Sequence, residues 1–176
     1  CAIHVAGGAL QLTGELYLGQ GGTAHFEQES GSTSTTALYF GDGAPSSPAA
    51  TAVIDGGTLT AGVSYIAATS PASVQQNGGE VDVAALLLGN YAAEMSTSTY
   101  TLTNGTIRGS VVGVGNPSTG TGHFVQSGGL VATSEVGVGN PASEYDFQGG
   151  QISTRGESTQ GPFVQSGGIN TTGQLF

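Results

Sequence analysis

The chain has 176 residues, 32 of them glycine, and a net charge of −10 that sets twelve acidic side chains against two arginines. A surface of that sign repels phosphate backbones and anionic lipid heads, which excludes DNA, RNA and acidic membranes as partners, and no apolar run approaches the ~20 residues a membrane-spanning helix needs. Only 8% of residues are charged, against roughly 25% in an average domain, yet 37% are apolar and recur at fixed offsets, which points to a packed repeat rather than a disordered chain.

Eight units follow one another, each built around a turn pair whose second residue is glycine. Unit one places Ile3 and Val5 five and three positions before Gly8, then Leu10 two after it, with Leu16 and Leu18 one position later than in the other units. Unit two repeats this as Phe26, Gln28, Gly31, Thr33, Leu38 and Phe40, closed by Gly41. Unit three carries Ala52, Ile54, Gly57 and Leu59; unit four Val74, Gln76, Gly79, Val81, Leu86, Leu88 and Gly89. Units five and six run Tyr100, Leu102, Gly105, Ile107, Val112, Val114, Gly115 and Phe124, Gln126, Gly129, Val131, Val136, Val138, Gly139. Unit seven has Tyr145, Phe147, Gly150 and Ile152 and then no third apolar segment, so its coil is expected to be shortened or open on one side. Unit eight ends the series with Phe163, Gln165, Gly168, Asn170 and Leu175. Two hexapeptides recur unchanged, Phe-Val-Gln-Ser-Gly-Gly at 124–129 and 163–168 and Val-Gly-Val-Gly-Asn-Pro at 112–117 and 136–141.

A spacing of two within each segment is the strand period, and glycine suits a corner where the backbone needs positive φ or close approach. Each unit therefore reads as three short strands, and no unit can bury its apolar stripe without neighbours stacked about 4.8 Å away. The predicted fold is all-β, a right-handed parallel β-helix (β-solenoid) of about eight coils of 18–26 residues, forming a single domain over 1–176. A helical solenoid fails on the period and on the glycines, and a β-sandwich is the rival architecture. The chain lacks an initial Met and a signal segment, and reads as a processed product or a piece of a longer chain. Cys1, the one cysteine, has no internal disulfide partner and is a candidate for lipidation.

The Phe-x-Gln-x-Gly-Gly motifs, with Tyr100-Thr-Leu at matching offsets, resemble the secreted glycine-rich β-solenoid repeats of bacterial autotransporter passengers and related surface proteins. The resemblance covers nearly the whole chain. It implies an extracellular or cell-surface location and no single function.

Glutamine occupies the third position before the anchor glycine in even units, as Gln28, Gln76, Gln126 and Gln165, and apolar residues occupy it in odd units. The parity points these amides inward, where they need partners. With one unit per coil each lies between apolar neighbours and must bond to backbone or water; with two units per turn the glutamines would stack as a ladder.

Chemistry-bearing constellations are sparse. A polysaccharide lyase needs basic residues that two arginines hardly supply, and the carboxylates Glu27, Glu29, Asp55, Glu80, Asp82 and Asp146 fall at outward offsets. His25 and His123 share an offset but lie four rungs, about 19 Å, apart. No cofactor is expected; the one exception the residues offer is Ca²⁺, since Glu29 and Asp55 occupy equivalent positions of successive units and an ion between them would relieve their repulsion. The sequence thus points away from enzymes and toward a structural subunit of an extracellular filament or cell-surface fibre. It would polymerise with itself head-to-tail through uncapped ends at Ile3 and Val5 and at Leu175 and Phe176. The alternative is an adhesin or passenger segment of a larger surface protein that displays loops for binding, with a surface glycan as the partner. Long aromatic-rich loops would favour it, and the longest breaks, around 42–51 and 90–98, are small and polar except for Tyr91 and Met95.

Overall fold

In a computed structural model the described residues are 1–43, 49–89, 97–116 and 120–176, and all regular structure among them is strand. The strands in chain order are β1 (Ala2–Val5), β2 (Ala9–Gln11), β3 (Glu15–Leu18), β4 (Ala24–Gln28), β5 (Ser32–Phe40), β6 (Ala50–Ile54), β7 (Thr58–Ile66), β8 (Ala72–Gln76) and β9 (Glu80–Leu88). They continue as β10 (Thr97–Leu102), β11 (Thr106–Val114), β12 (Thr121–Gln126), β13 (Leu130–Val138), β14 (Glu144–Phe147), β15 (Gln151–Thr159), β16 (Phe163–Gln165) and β17 (Ile169–Leu175). A first sheet of short strands stacks in the order β1-β4-β6-β8-β10-β12-β14-β16, and a second, mostly of longer strands, in the order β2-β5-β7-β9-β11-β13-β15-β17 with β3 also paired to β5, every pairing parallel. This is a parallel β-solenoid, one strand of each sheet from each repeat unit except unit one, which gives both β2 and β3 to the second sheet.

The two units per turn alternative is settled by register. Gln28 pairs with Ile54, Ile54 with Gln76, Gln76 with Leu102, Leu102 with Gln126 and Gln126 with Phe147. One unit therefore makes one coil, and the glutamines are separated by apolar rungs.

Expected strand count per unit needs correction. The second and third segments run together as one nine-residue strand, as in β5, β7, β9, β11, β13 and β15. Its fifth residue drops out of the pairing: Gly109 pairs with Thr133 and Val111 with Glu135, while Ser110 is skipped. The inward parity shifts at the same place, so Val81 and Val83 face the core before the bend and Leu86 and Leu88 after it. Unit seven is less open than expected, because β15 keeps the full nine residues and pairs along its length with β13. The one-residue slip of unit one is confirmed, for β2 and β3 are separate strands and Leu16 pairs with Leu38.

All eight anchor glycines have φ between 68° and 94°. They also sit close to one another: a Cβ on Gly105 would lie 2.6 Å from the carbonyl oxygen of Gly79, and one on Gly129 2.6 Å from that of Gly105. Each anchor carbonyl from Gly8 to Gly150 accepts an N–H of the next unit, as in Thr106 N to Gly79 O at 2.9 Å. The parallel ladder thus continues through the turn, and only a residue without a side chain meets both demands. The corner after the long strand uses Gly41, Gly89 and Gly115 in the same left-handed region, and unit three puts Ala67 there at φ 58°.

One core runs through the coils, from Val5 to Ile152, with Phe26, Phe40, Tyr100, Phe124, Tyr145 and Phe147 among its fully buried side chains. Tyr100, Phe124, Tyr145 and Phe163 form a continuous inward stack with ring centroids 5.2, 4.6 and 5.1 Å apart. Such pairs add about 0.5–1.5 kcal/mol each beyond the area they bury.

Candidate functional site

Gln76 and Gln126 show how an inward amide is satisfied between apolar rungs. The Tyr100 hydroxyl, one rung on, donates to Gln76 Oε1 at 2.7 Å, while Gln76 Nε2 donates to the carbonyls of Gly78 and Thr106 at 3.2 Å. Tyr145 repeats the contact to Gln126 Oε1 at 2.7 Å, and Gln126 Nε2 donates to Gln151 O at 3.0 Å. Burial drives both tyrosine pKa values well above the ordinary range, with Glu157 adding to the effect on Tyr145, so both hydroxyls stay donors. Gln28 has no such neighbour, because the next unit carries Ala52 at the tyrosine position; its Nε2 reaches Gly56 O at 3.3 Å and its Oε1 is unsatisfied. Gln165 is exposed at the last rung. The column is a structural device inside the wall.

Two features of the wall escaped the sequence reading. Threonine recurs just before the bend, and Thr35, Thr133, Thr154 and Thr172 each donate to the carbonyl two residues on, at 2.9–3.1 Å, which fastens the corner. Outside the second sheet Tyr17, Tyr39 and Tyr65 stack at 4.6 and 5.0 Å, and a hydrogen bond to Glu15, with smaller contributions from burial and nearby charge, raises the Tyr17 pKa to about 12. Tyrosine spacing between units one and three was the available signal for the latter.

The predicted calcium pair is neighbouring but separately engaged. Asp55 Oδ1 accepts from Asn77 Nδ2 at 2.8 Å, and Glu29 Oε1 lies 3.2 Å from His4 Nε2. Glu29 is instead gathered with His4 and Glu27, whose ligand atoms all lie within 4.8 Å of one another. Glu80 takes Arg108 at 3.0 Å, an exposed pair worth at most about 1 kcal/mol.

Of the predicted assembly residues, Ile3 and Val5 lie on β1 and Leu175 on β17, strands paired on one side only, and Phe176 follows β17 directly. Ile3 is partly buried and Val5 is 7% exposed in the first rung; Leu175 is 69% and Phe176 75% exposed in the last. Loops 42–51 and 90–98 lie partly outside the described residues, as do Tyr91 and Met95. No helix of the described residues is long and apolar enough to cross a membrane. The repeated Val-Gly-Val-Gly-Asn-Pro segment has a role in joining coils: Asn140 Nδ2 donates to Asn116 O at 2.7 Å and Gly120 O at 2.8 Å, tying one copy to the other. Comparison with family models, curated proteins and solved structures finds no match for the chain.

Proposed function

We propose that the chain is a structural segment of an extracellular filament or cell-surface fibre, extended by joining solenoid edges head to tail. Its role in this reading is mechanical rather than catalytic. The observation that carries it is the stacking itself: parallel pairing continues rung after rung in both sheets, and the end rungs carry apolar residues, with Ile3, Leu10, Leu16 and Phe163 partly buried against the core and Leu175 exposed. Unpaired strand edges recruit further strands, and two unlike edges make a heterologous contact that grows without closing. The next rung can come from the same polypeptide or from a second copy, and the fibre reading takes the second source.

Repeat register supports the joint. Gln165 belongs to an even unit and Val5 to an odd one, so a joined pair would continue the alternation of glutamine and apolar rungs seen from Val5–Gln28 to Phe147–Gln165. The charge of −10 would keep rods apart laterally at low salt. Secretion and the likeness to autotransporter passengers fit a lysine-free, glycine-rich wall and belong to the same proposal. The alternative, a passenger or adhesin segment, is favoured by the outward Tyr17–Tyr39–Tyr65 stack, a lateral feature suited to a glycan or protein partner.

The test uses Leu16→Glu with Leu175→Glu, which places like charges in one column of the joint. Fibres by electron microscopy from the unaltered chain, lost in the double variant while its β circular dichroism persists, support the joint. Sedimentation of the unaltered chain as a monomer at high concentration overturns the filament and favours the passenger reading.

A further inference from the structure

On the outer face of the first sheet, strand pairing sets His4 of coil one beside Glu27 of coil two. Glu29 lies two residues along the same strand direction and so shares the face. His4 Nε2 is 3.2 Å from Glu29 Oε1, and donor atoms of the three residues fall within a 4.8 Å span. Zinc bonds of about 2.0–2.1 Å to nitrogen and oxygen, at tetrahedral angles, place two ligand atoms about 3.3 Å apart. The observed His–Glu separation is therefore already that of two ligands on one ion. Two carboxylates on one face repel each other, and a dication between them removes that cost. An imidazole in the set selects against Ca²⁺ and Mg²⁺, which take oxygen ligands, and in favour of zinc-like ions. His25 borders the cluster with its Nε2 4.0 Å from Glu27 Oε2, and its Nδ1 is held by Thr51 Oγ1 at 2.9 Å.

We propose that His4, Glu27 and Glu29 form a three-ligand site for a divalent transition metal of the zinc type, completed by water. The ion bridges coil one and coil two. It fastens β1 to β4 from outside the wall. The site is independent of whether the rod forms fibres.

The experiment is calorimetric titration of the 1–176 chain with ZnCl₂ and separately with CaCl₂, followed by thermal unfolding with and without ZnCl₂. Cys1 is exposed and is itself a zinc ligand type, so Cys1→Ser serves as the background throughout. One saturable Zn²⁺ site and a raised Tm are expected. His4→Ala and, separately, Glu29→Gln weaken Zn²⁺ binding at least tenfold, since loss of even an outer-sphere partner costs about 10–100-fold. Both residues are half exposed, so both variants retain the fold, and Glu80→Gln leaves binding unchanged. Absence of saturable Zn²⁺ binding below millimolar concentration in the Cys1→Ser background shows an ion pair only and overturns the site. Binding that survives His4→Ala, or Ca²⁺ binding of equal strength, overturns the imidazole's role and with it the proposal.

Discussion

Gly105 carries two constraints that can be separated experimentally. Its φ of 94° disfavours any side chain, and the carbonyl of Gly79 occupies the place of its Cβ. Gly8 has φ 72° with nothing within 4 Å of its Cβ position. Gly8→Ala in the 1–176 chain is expected to cost about 1–2 kcal/mol from the left-handed backbone alone. Gly105→Ala should cost that plus roughly 1–3 kcal/mol of steric displacement, since the clash is with backbone. Urea unfolding of the two variants checks this, and equal losses would mean that stacking imposes no extra demand. The glutamines allow a similar separation. Gln126→Leu strands the buried Tyr145 hydroxyl, so a loss of roughly 1–3 kcal/mol is expected, and adding Tyr145→Phe should recover part of it. Gln28→Leu removes an amide whose oxygen is already unsatisfied and should be milder than Gln126→Leu. A double-mutant cycle with no coupling between positions 126 and 145 would contradict the tyrosine–glutamine contact.

A nine-residue strand that turns a corner must change inward parity without breaking its ladder. The threonine before the bend does this in units two, six and seven by bonding the carbonyl beyond it, and Thr172 makes the same bond in the seven-residue β17. Thr133→Val keeps the shape and removes the bond, and is expected to cost about 0.5–1.5 kcal/mol, read as a lowered urea midpoint with unchanged slope. In β15 the pattern is broken by Glu157, which is 3% exposed, pairs with Val136 and Leu175, and has an unsatisfied Oε1. A buried polar atom without a partner costs free energy, so Glu157→Leu should raise Tm. A lowered Tm would show that the carboxylate has a bonding role in the wall.

A stacked rod gains stability from nearest neighbours, so its ends open first. Hydrogen exchange of the monomer should be slowest in β9 and β11, each with partners on both sides, and fastest in β1, β16 and β17. Assembly through the edges should slow exchange in β1, β16 and β17 toward the central rate and leave the centre unchanged. Protection gained on the outer tyrosines' strands β3, β5 and β7, without change in β16 and β17, would instead indicate lateral association.

Local rules made the solenoid readable from residues alone. Positive φ at Gly8, Gly31, Gly57 and the later anchors, and period-two burial in the strands, act over a few residues and leave a direct trace in composition and spacing. The alternation of glutamine and apolar residues was equally visible, yet its meaning was not: ladder and isolated amide differ only in which unit lies next along the axis. That adjacency depends on how much chain one turn consumes, a property of coil closure that no single unit encodes. Tertiary structure alone therefore decided that Tyr100 reaches Gln76, that the last two segments of a unit fuse around a threonine-pinned bend, and that Glu29 meets His4 and Glu27 while Asp55 binds Asn77. Each of these contacts joins residues two positions apart across a bend or some 20 residues apart across a rung, distances at which side-chain reach and register, not sequence neighbours, determine the partner.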